Sequence, residues 1–353
     1  MSNVVSLRDM RRPEPRPRLP ALVEAFAAHR RAGDDVFWLK ENAEFLGILA
    51  CSGAKLPDGA LAPFDTFYEQ IEKRLRFFPQ YYRFLVSVCL DLEDLGMGGN
   101  KASALCTWAA QAGLADAELS DLQRAEARRL FARRGIEVVD DGLTERLHSF
   151  MNRTDTFVMP NKKAAYELTH IVFYLSEYGA RDPGLDASAI TSLEYAGLLA
   201  YLDQNMDLLA EVCVALRFAG RVPSAIWEAS VEASVAHATI TPAGPDTVPD
   251  TYHEYLVGNW ALRVAGHDGF EQAVPEGRVQ FNGLGSGTGA LRPMSECMFE
   301  LDDARNGDWD RMRPHVELYL GPTSSAILSG AEQSTDKFEA FFAGFARAGT
   351  ALA

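Results

Sequence analysis

Apolar residues recur every three or four positions through almost the whole chain, in segments of about three to five turns joined by short polar or Pro/Gly-rich connections. A segment with that period can bury one stripe of its surface as a helix, and short connections oblige successive helices to run antiparallel. The pattern predicts helices over 22–29, 34–51, 64–78, 79–95, 101–112, 120–134, 143–152, 161–178, 187–202, 205–218, 223–237 and 249–264. Local punctuation agrees: Asp34-Asp35 precedes the second, Pro79 opens the fourth, and Gly96-Met97-Gly98-Gly99 follows it. No alternating apolar/polar stretch supports a sheet. The expected fold is all-α, an array of antiparallel helical hairpins stacked as an open superhelix or closed as an α/α toroid. No strict repeat chooses between the two.

The ends of the array differ from its body. Residues 1–18 carry Arg8, Arg11, Arg12, Arg16 and Arg18 among Pro13, Pro15 and Pro17, with Pro20 just beyond, the composition of a disordered basic leader that could dock an acidic protein partner. The hairpin array is expected over 19–265. From 266 to 294 the helical period stops in an irregular excursion. It contains His267-Asp268-Gly269, Pro275-Glu276-Gly277 and a glycine series from Gly283 to Gly289, with only Arg278-Val279-Gln280-Phe281 reading as a short strand. Helices resume over 293–303, 308–319 and 335–348, so 266–353 reads as an irregular segment plus helices packed on the array.

Charge and cysteine usage exclude several classes. A net charge of -15 on 353 residues disfavours nucleic acid, whose binding requires cations to neutralise phosphates. No apolar run approaches the roughly 20 residues of a membrane span, and the leader has no signal-peptide core, so a cytoplasmic protein is expected. Five widely spaced cysteines without a Cys-x-x-Cys pair read as buried reduced thiols. The glycine series lacks the Gly-Lys-Ser/Thr ending of a phosphate loop and reads as a turn or lid. Neither a Gly-x-Ser-x-Gly elbow nor a His-Glu-x-x-His motif occurs, and no Cys and His are spaced for zinc.

Titratable residues concentrate on two predicted helices. In Tyr166 to Gly179, residues Glu167, His170, Tyr174 and Glu177 share one stripe. A carboxylate three residues before an imidazole can orient it or join it as a metal ligand, which makes Glu167 and His170 the metal candidates, with a divalent metal as the cofactor such a pair would take. In Tyr201 to Cys213, Asp203, Asp207 and Glu211 are spaced four apart on a helix otherwise largely apolar; they line either a solvated strip or an internal cavity. Glu145-Arg146-Leu147-His148 and Glu167-Leu168-Thr169-His170 both read Glu-x-x-His, the spacing of di-iron bundles, with Asp207 and Glu211 as further carboxylates. The alternative for each group is a core or surface residue that is merely hydrogen-bonded.

Leu168-Thr169-His170-Ile171-Val172-Phe173-Tyr174 through Gly179, followed by Asp207-Leu208-Leu209-Ala210-Glu211, resembles a signature of uncharacterised all-helical bacterial proteins: a Thr-His-x-x-Phe-Tyr helix before an Asp-Leu-Leu helix. Phe37-Trp38-Leu39-Lys40-Glu41-Asn42 is similar to part of a narrower set of them. The resemblance implies no reaction, but it stresses His170 and Asp207. The expectation is a polar internal pocket in which His170 faces Asp207, with Tyr174 and Glu211 beside them, binding or modifying a small molecule or peptide by acid/base chemistry. The alternatives are a non-catalytic interaction scaffold and a carboxylate/His metal protein.

Overall fold

Capping residues start the helices where the apolar period starts. Asp35, Ser120, Asn161, Asp186, Asn205 and Asp308 each accept a backbone N–H of the first turn they precede. Gly96, with φ of 101°, ends the helix before it in a conformation that a side chain would strain. The computed structural model describes residues 18–244, 250–283 and 289–349.

Sixteen helices and two short strands lie among the described residues. They are α1 (Arg18–Glu24, widening over Ala25–His29), α2 (Val36–Cys51), α3 (Asp65–Phe77), α4 (Tyr82–Asp94), α5 (Lys101–Gln111), α6 (Asp121–Ala132), α7 (Leu143–Met151) and α8 (Lys162–Leu175). The chain continues through α9 (Ala187–Leu202), α10 (Met206–Phe218), α11 (Ala225–His237), β1 (Thr239–Pro242), α12 (Tyr252–Val264) and β2 (Val279–Asn282). It ends with α13 (Leu291–Leu301), α14 (Trp309–Glu317), α15 (Pro322–Ser334) and α16 (Phe338–Ala346). The molecule is an all-α helical array, and none of the described helices is long and apolar enough to cross a membrane. The basic leader up to residue 17, and 284–288 of the glycine series, lie outside the described residues.

Helix α10 has nine consecutive buried residues, Leu208 to Leu216, because α8, α9, α11 and α12 all pack against it. The even-numbered helices touch in succession: α2 packs on α4, α4 on α6, α6 on α8, α8 on α10, α10 on α12, and α12 returns to α2. The helices between them in sequence, α3, α5, α7, α9 and α11, flank this cycle. Its closing seam is polar as well as apolar. Arg30, 4 % exposed, donates to Glu41 at 2.9 Å and to Asp250 at 2.7 and 3.1 Å, and its guanidinium lies 5.0 to 5.2 Å from the ring centres of Phe26, Tyr252 and Phe281.

Two features were not expected from the periodicity. β1 and β2 form an antiparallel ribbon with Thr239 opposite Asn282 and Pro242 opposite Val279, so the Arg278–Phe281 stretch does find a partner. β2 buries Val279 and Phe281, and Phe281 packs 4.9 Å from the Tyr255 ring of α12. The other is α15, whose Thr323-Ser324-Ser325 opening and Gly330 dilute the apolar stripe; it packs against α9 and α11 through Ile327, Leu328 and Ala331.

Candidate functional site

Gln204, with φ of 54°, breaks the chain between α9 and α10. Asp203 therefore belongs to the end of α9, where it pairs with Lys162 at 2.8 Å, and the expected three-carboxylate stripe contracts to Asp207 and Glu211. Asp207 occupies the first turn of α10, where the helix dipole favours a carboxylate. It accepts a hydrogen bond from the Tyr166 hydroxyl at 2.6 Å and lies 2.6 Å from Nδ1 of His253 on α12. One turn on, Glu211 is 1 % exposed and accepts from the Thr169 hydroxyl at 2.5 Å. Its carboxylate also lies 3.6 Å from His170 Nδ1 and 4.0 Å from His253 Nε2. Glu211 is thus an interior residue rather than part of a solvated strip.

Hydrogen-bond valence assigns the protons. His170 Nδ1 lies 2.8 Å from the carbonyl oxygen of Tyr166, which can only accept, and Glu211 is its other neighbour. Nδ1 is therefore the protonated donor nitrogen, which leaves Nε2 as the nitrogen turned away from these partners. For His253, burial disfavours the charged ring, but the hydrogen bond to Asp207 and the Asp207 charge outweigh it and raise the pKa to about 9. For Asp207, burial pushes the carboxyl up, yet the His253 hydrogen bond and charge and the Tyr166 hydroxyl hold it below its ordinary range. Glu211 goes the other way, raised chiefly by burial, with the two imidazoles only partly offsetting it. The site thus sets an imidazolium–carboxylate couple next to a carboxyl whose pKa burial raises.

The polar chain extends to α2. The Tyr252 hydroxyl donates to Glu44 at 2.8 Å, and Lys40 reaches that hydroxyl at 3.1 Å and Glu44 at 2.9 Å. Charges on Lys40 and Glu44 act on Asp207 and His253 respectively. Four helices, α2, α8, α10 and α12, contribute to one cluster, and its imidazoles are about a third exposed while Glu211 beneath them is sealed. The cluster opens to solvent instead of being enclosed.

Of the residues nominated from sequence, His170, Asp207 and Glu211 lie in this cluster. Asp207 pairs with His253 rather than with His170, whose Nδ1 instead lies beside Glu211, one turn further along α10. Tyr174 lies one turn beyond His170 with ring centres 6.1 Å apart, and its hydroxyl makes no hydrogen bond among the described residues; it lines a separate cleft. Glu167 forms no ion pair or hydrogen bond with His170 among the described residues. Nor does any group of three His, Cys, Asp or Glu there converge as ligands to one ion. Glu145 is exposed on α7, and His148 faces the cleft of Tyr174. Sequence reasoning missed His253, Tyr166, Thr169, Lys40 and Glu44. The available signal for His253 was a histidine in the first turn of a helix otherwise buried through Tyr255 to Ala261.

A family model described as a domain of unknown function, DUF6902, matches residues 1–348. The chain belongs to the DUF6902 family. That match takes in every helix from α1 to α16, far more than the two segments that carried the resemblance to uncharacterised helical proteins. No curated protein and no solved structure matches the chain. Membership of DUF6902 assigns no activity, so what the cluster can do rests on its geometry.

Proposed function

We propose that the chain is an α/α toroid whose inner helices present a proton-transfer site for a small polar molecule or peptide. The cyclic packing of α2, α4, α6, α8, α10 and α12 supports the toroid. The observation that carries the site is the pairing of two imidazoles, each about a third exposed, with the part-buried Asp207 and the buried Glu211 inside one hydrogen-bonded chain. In this reading His170 takes the proton on Nε2, its ring oriented by the Tyr166 carbonyl and Glu211. His253, held charged by Asp207, stabilises negative charge that develops on the bound molecule. The five unpaired thiols agree with action in a reducing compartment, the cytoplasm.

The experiment is a thermal-shift screen of small metabolites and short peptides on the wild type, His170→Gln and His253→Gln. Compounds that stabilise the wild type are then followed by NMR for hydrogen–deuterium exchange at non-labile positions. The expected result is stabilisation lost in His253→Gln and exchange lost in His170→Gln. Binding and exchange that persist in both variants would overturn the reading.

A second reading, a non-catalytic interaction surface, is favoured by one observation. Val36, Phe78, Tyr81 and Leu85 line a groove of about 390 Å³, with Phe77 beside Phe78 and 76 % exposed. Its test is a Phe77→Ser, Phe78→Ser variant, which abolishes partner capture in cell extract while leaving the metabolite screen unchanged.

A further inference from the structure

Helix α6 treats its arginines unequally. Acidic residues outnumber Lys and Arg by 49 to 34 in this chain, so carboxylate partners are in excess. Arg124 pairs with Asp140 at 3.2 Å, and just past the helix end Arg133 pairs with Asp91 and Asp94 at 2.7 Å and Arg134 with Glu93 at 3.1 Å. Between them, Arg128 and Arg129 form no ion pair among the described residues. Arg128 donates only to the Thr144 hydroxyl, at 3.0 Å. Arg129 lies over the Tyr178 ring with its guanidinium carbon 4.2 Å from the ring centre, and its buried Nε has no hydrogen-bond partner.

Both arginines border one cleft of about 480 Å³ between α6, α7, α8 and the turn after α8, together with Arg181, His148 and Tyr174. Two acidic residues share the wall, but each is engaged: Glu177 pairs with Arg181 at 3.4 Å, and Asp182 accepts the Gly184 N–H at 2.8 Å. We propose that this cleft binds a small oxyanion, a phosphoryl or carboxylate group, through Arg128 and Arg129. Guanidinium groups bind such oxygens through paired, charge-assisted hydrogen bonds, and a partly buried cation without a counter-charge is costly to hold until an anion supplies one. Burial and then the neighbouring Arg181 charge lower the pKa of Arg128, with the more distant charges of Asp140 and Glu145 only partly offsetting them. The free hydroxyl of Tyr174 is a further donor, which gives this nominated residue a role away from the histidine cluster. The cleft is of the size that takes a small metabolite rather than a bare ion.

The test is calorimetric titration of the full chain at low salt with inorganic pyrophosphate and, separately, with citrate. Either probe is expected to bind with a Kd below about 1 mM, and the probe that binds identifies the phosphoryl or the carboxylate source. Arg128→Gln, which loses only its contact to Thr144 and so leaves the packing intact, is expected to weaken binding at least about tenfold. Arg129→Gln is expected to do the same, and Arg292→Gln, at an exposed position of α13, serves as the unchanged control. Binding of neither probe below about 5 mM, or an affinity unchanged in both Arg128→Gln and Arg129→Gln, would overturn the proposal.

Discussion

Asp207→Asn isolates the strongest electrostatic coupling in the cluster. The carboxylate accepts from Tyr166 and from His253, both at 2.6 Å, and the asparagine amide can accept from one of them while presenting an N–H to the other. The rise of His253 from 6.5 to about 9 corresponds to about 3 kcal/mol, at about 1.4 kcal/mol per tenfold change. Because the folded-state pKa is raised, this stabilisation is fully present below the unfolded value of 6.5 and is lost as pH climbs through about 9. Urea unfolding of wild type and variant should therefore differ most near pH 6, and the gap should shrink by up to about 3 kcal/mol by about pH 10. Following the His253 Cε1–H resonance by NMR gives the midpoint directly. A midpoint near 6.5 in the wild type, or one that Asp207→Asn does not move, would refute the coupling.

Three further outcomes follow from the packing. Thr169→Val keeps the side-chain shape but removes the donor to Glu211, so it should cost about 1–3 kcal/mol and move Glu211 to a still higher titration midpoint, read by carboxyl carbon NMR. Arg30→Met leaves Asp250 only its backbone N–H partners and removes one of two guanidinium partners of Glu41, and should cost about 3 kcal/mol in a urea titration. Gly197→Ala would place a Cβ 2.6 Å from the Trp227 ring in the interface of α9 with its neighbours, so a loss of about 1–3 kcal/mol is expected in thermal unfolding.

The helices were legible because each buries one stripe, and a stripe is a local pattern. Asp35 caps α2 and Gly96 ends the turn after α4 close to where the sequence signals put them. α15 was hidden by its small polar opening, and β1 because four residues ending in Pro242 carry no alternation of their own; pairing with β2 makes them a strand. At the site, Glu211 and His170 could be nominated from their spacing and apolar surroundings. The His253–Asp207 couple could not, since it depends on how α10 and α12 pack between residues 46 positions apart in sequence. Asp203 misled for the opposite reason: the four-residue spacing held, but the left-handed turn at Gln204 had already ended the helix that would have aligned it.

The seam closed by Arg30 and Asp250 bears on how the chain comes together. Those partners are 220 positions apart, and Tyr252 meets Glu44 across 208. Contacts of that span form late, because a long loop must close before they contribute anything. During synthesis, α2 to α8 can associate with neighbours already made, while the seam and the histidine cluster wait for α12 to emerge. A chain truncated before Tyr252 would retain most of its helices yet lack His253, and the α2 edge would stay open where Phe26 and Phe45 stack against each other and Phe281 would have covered them.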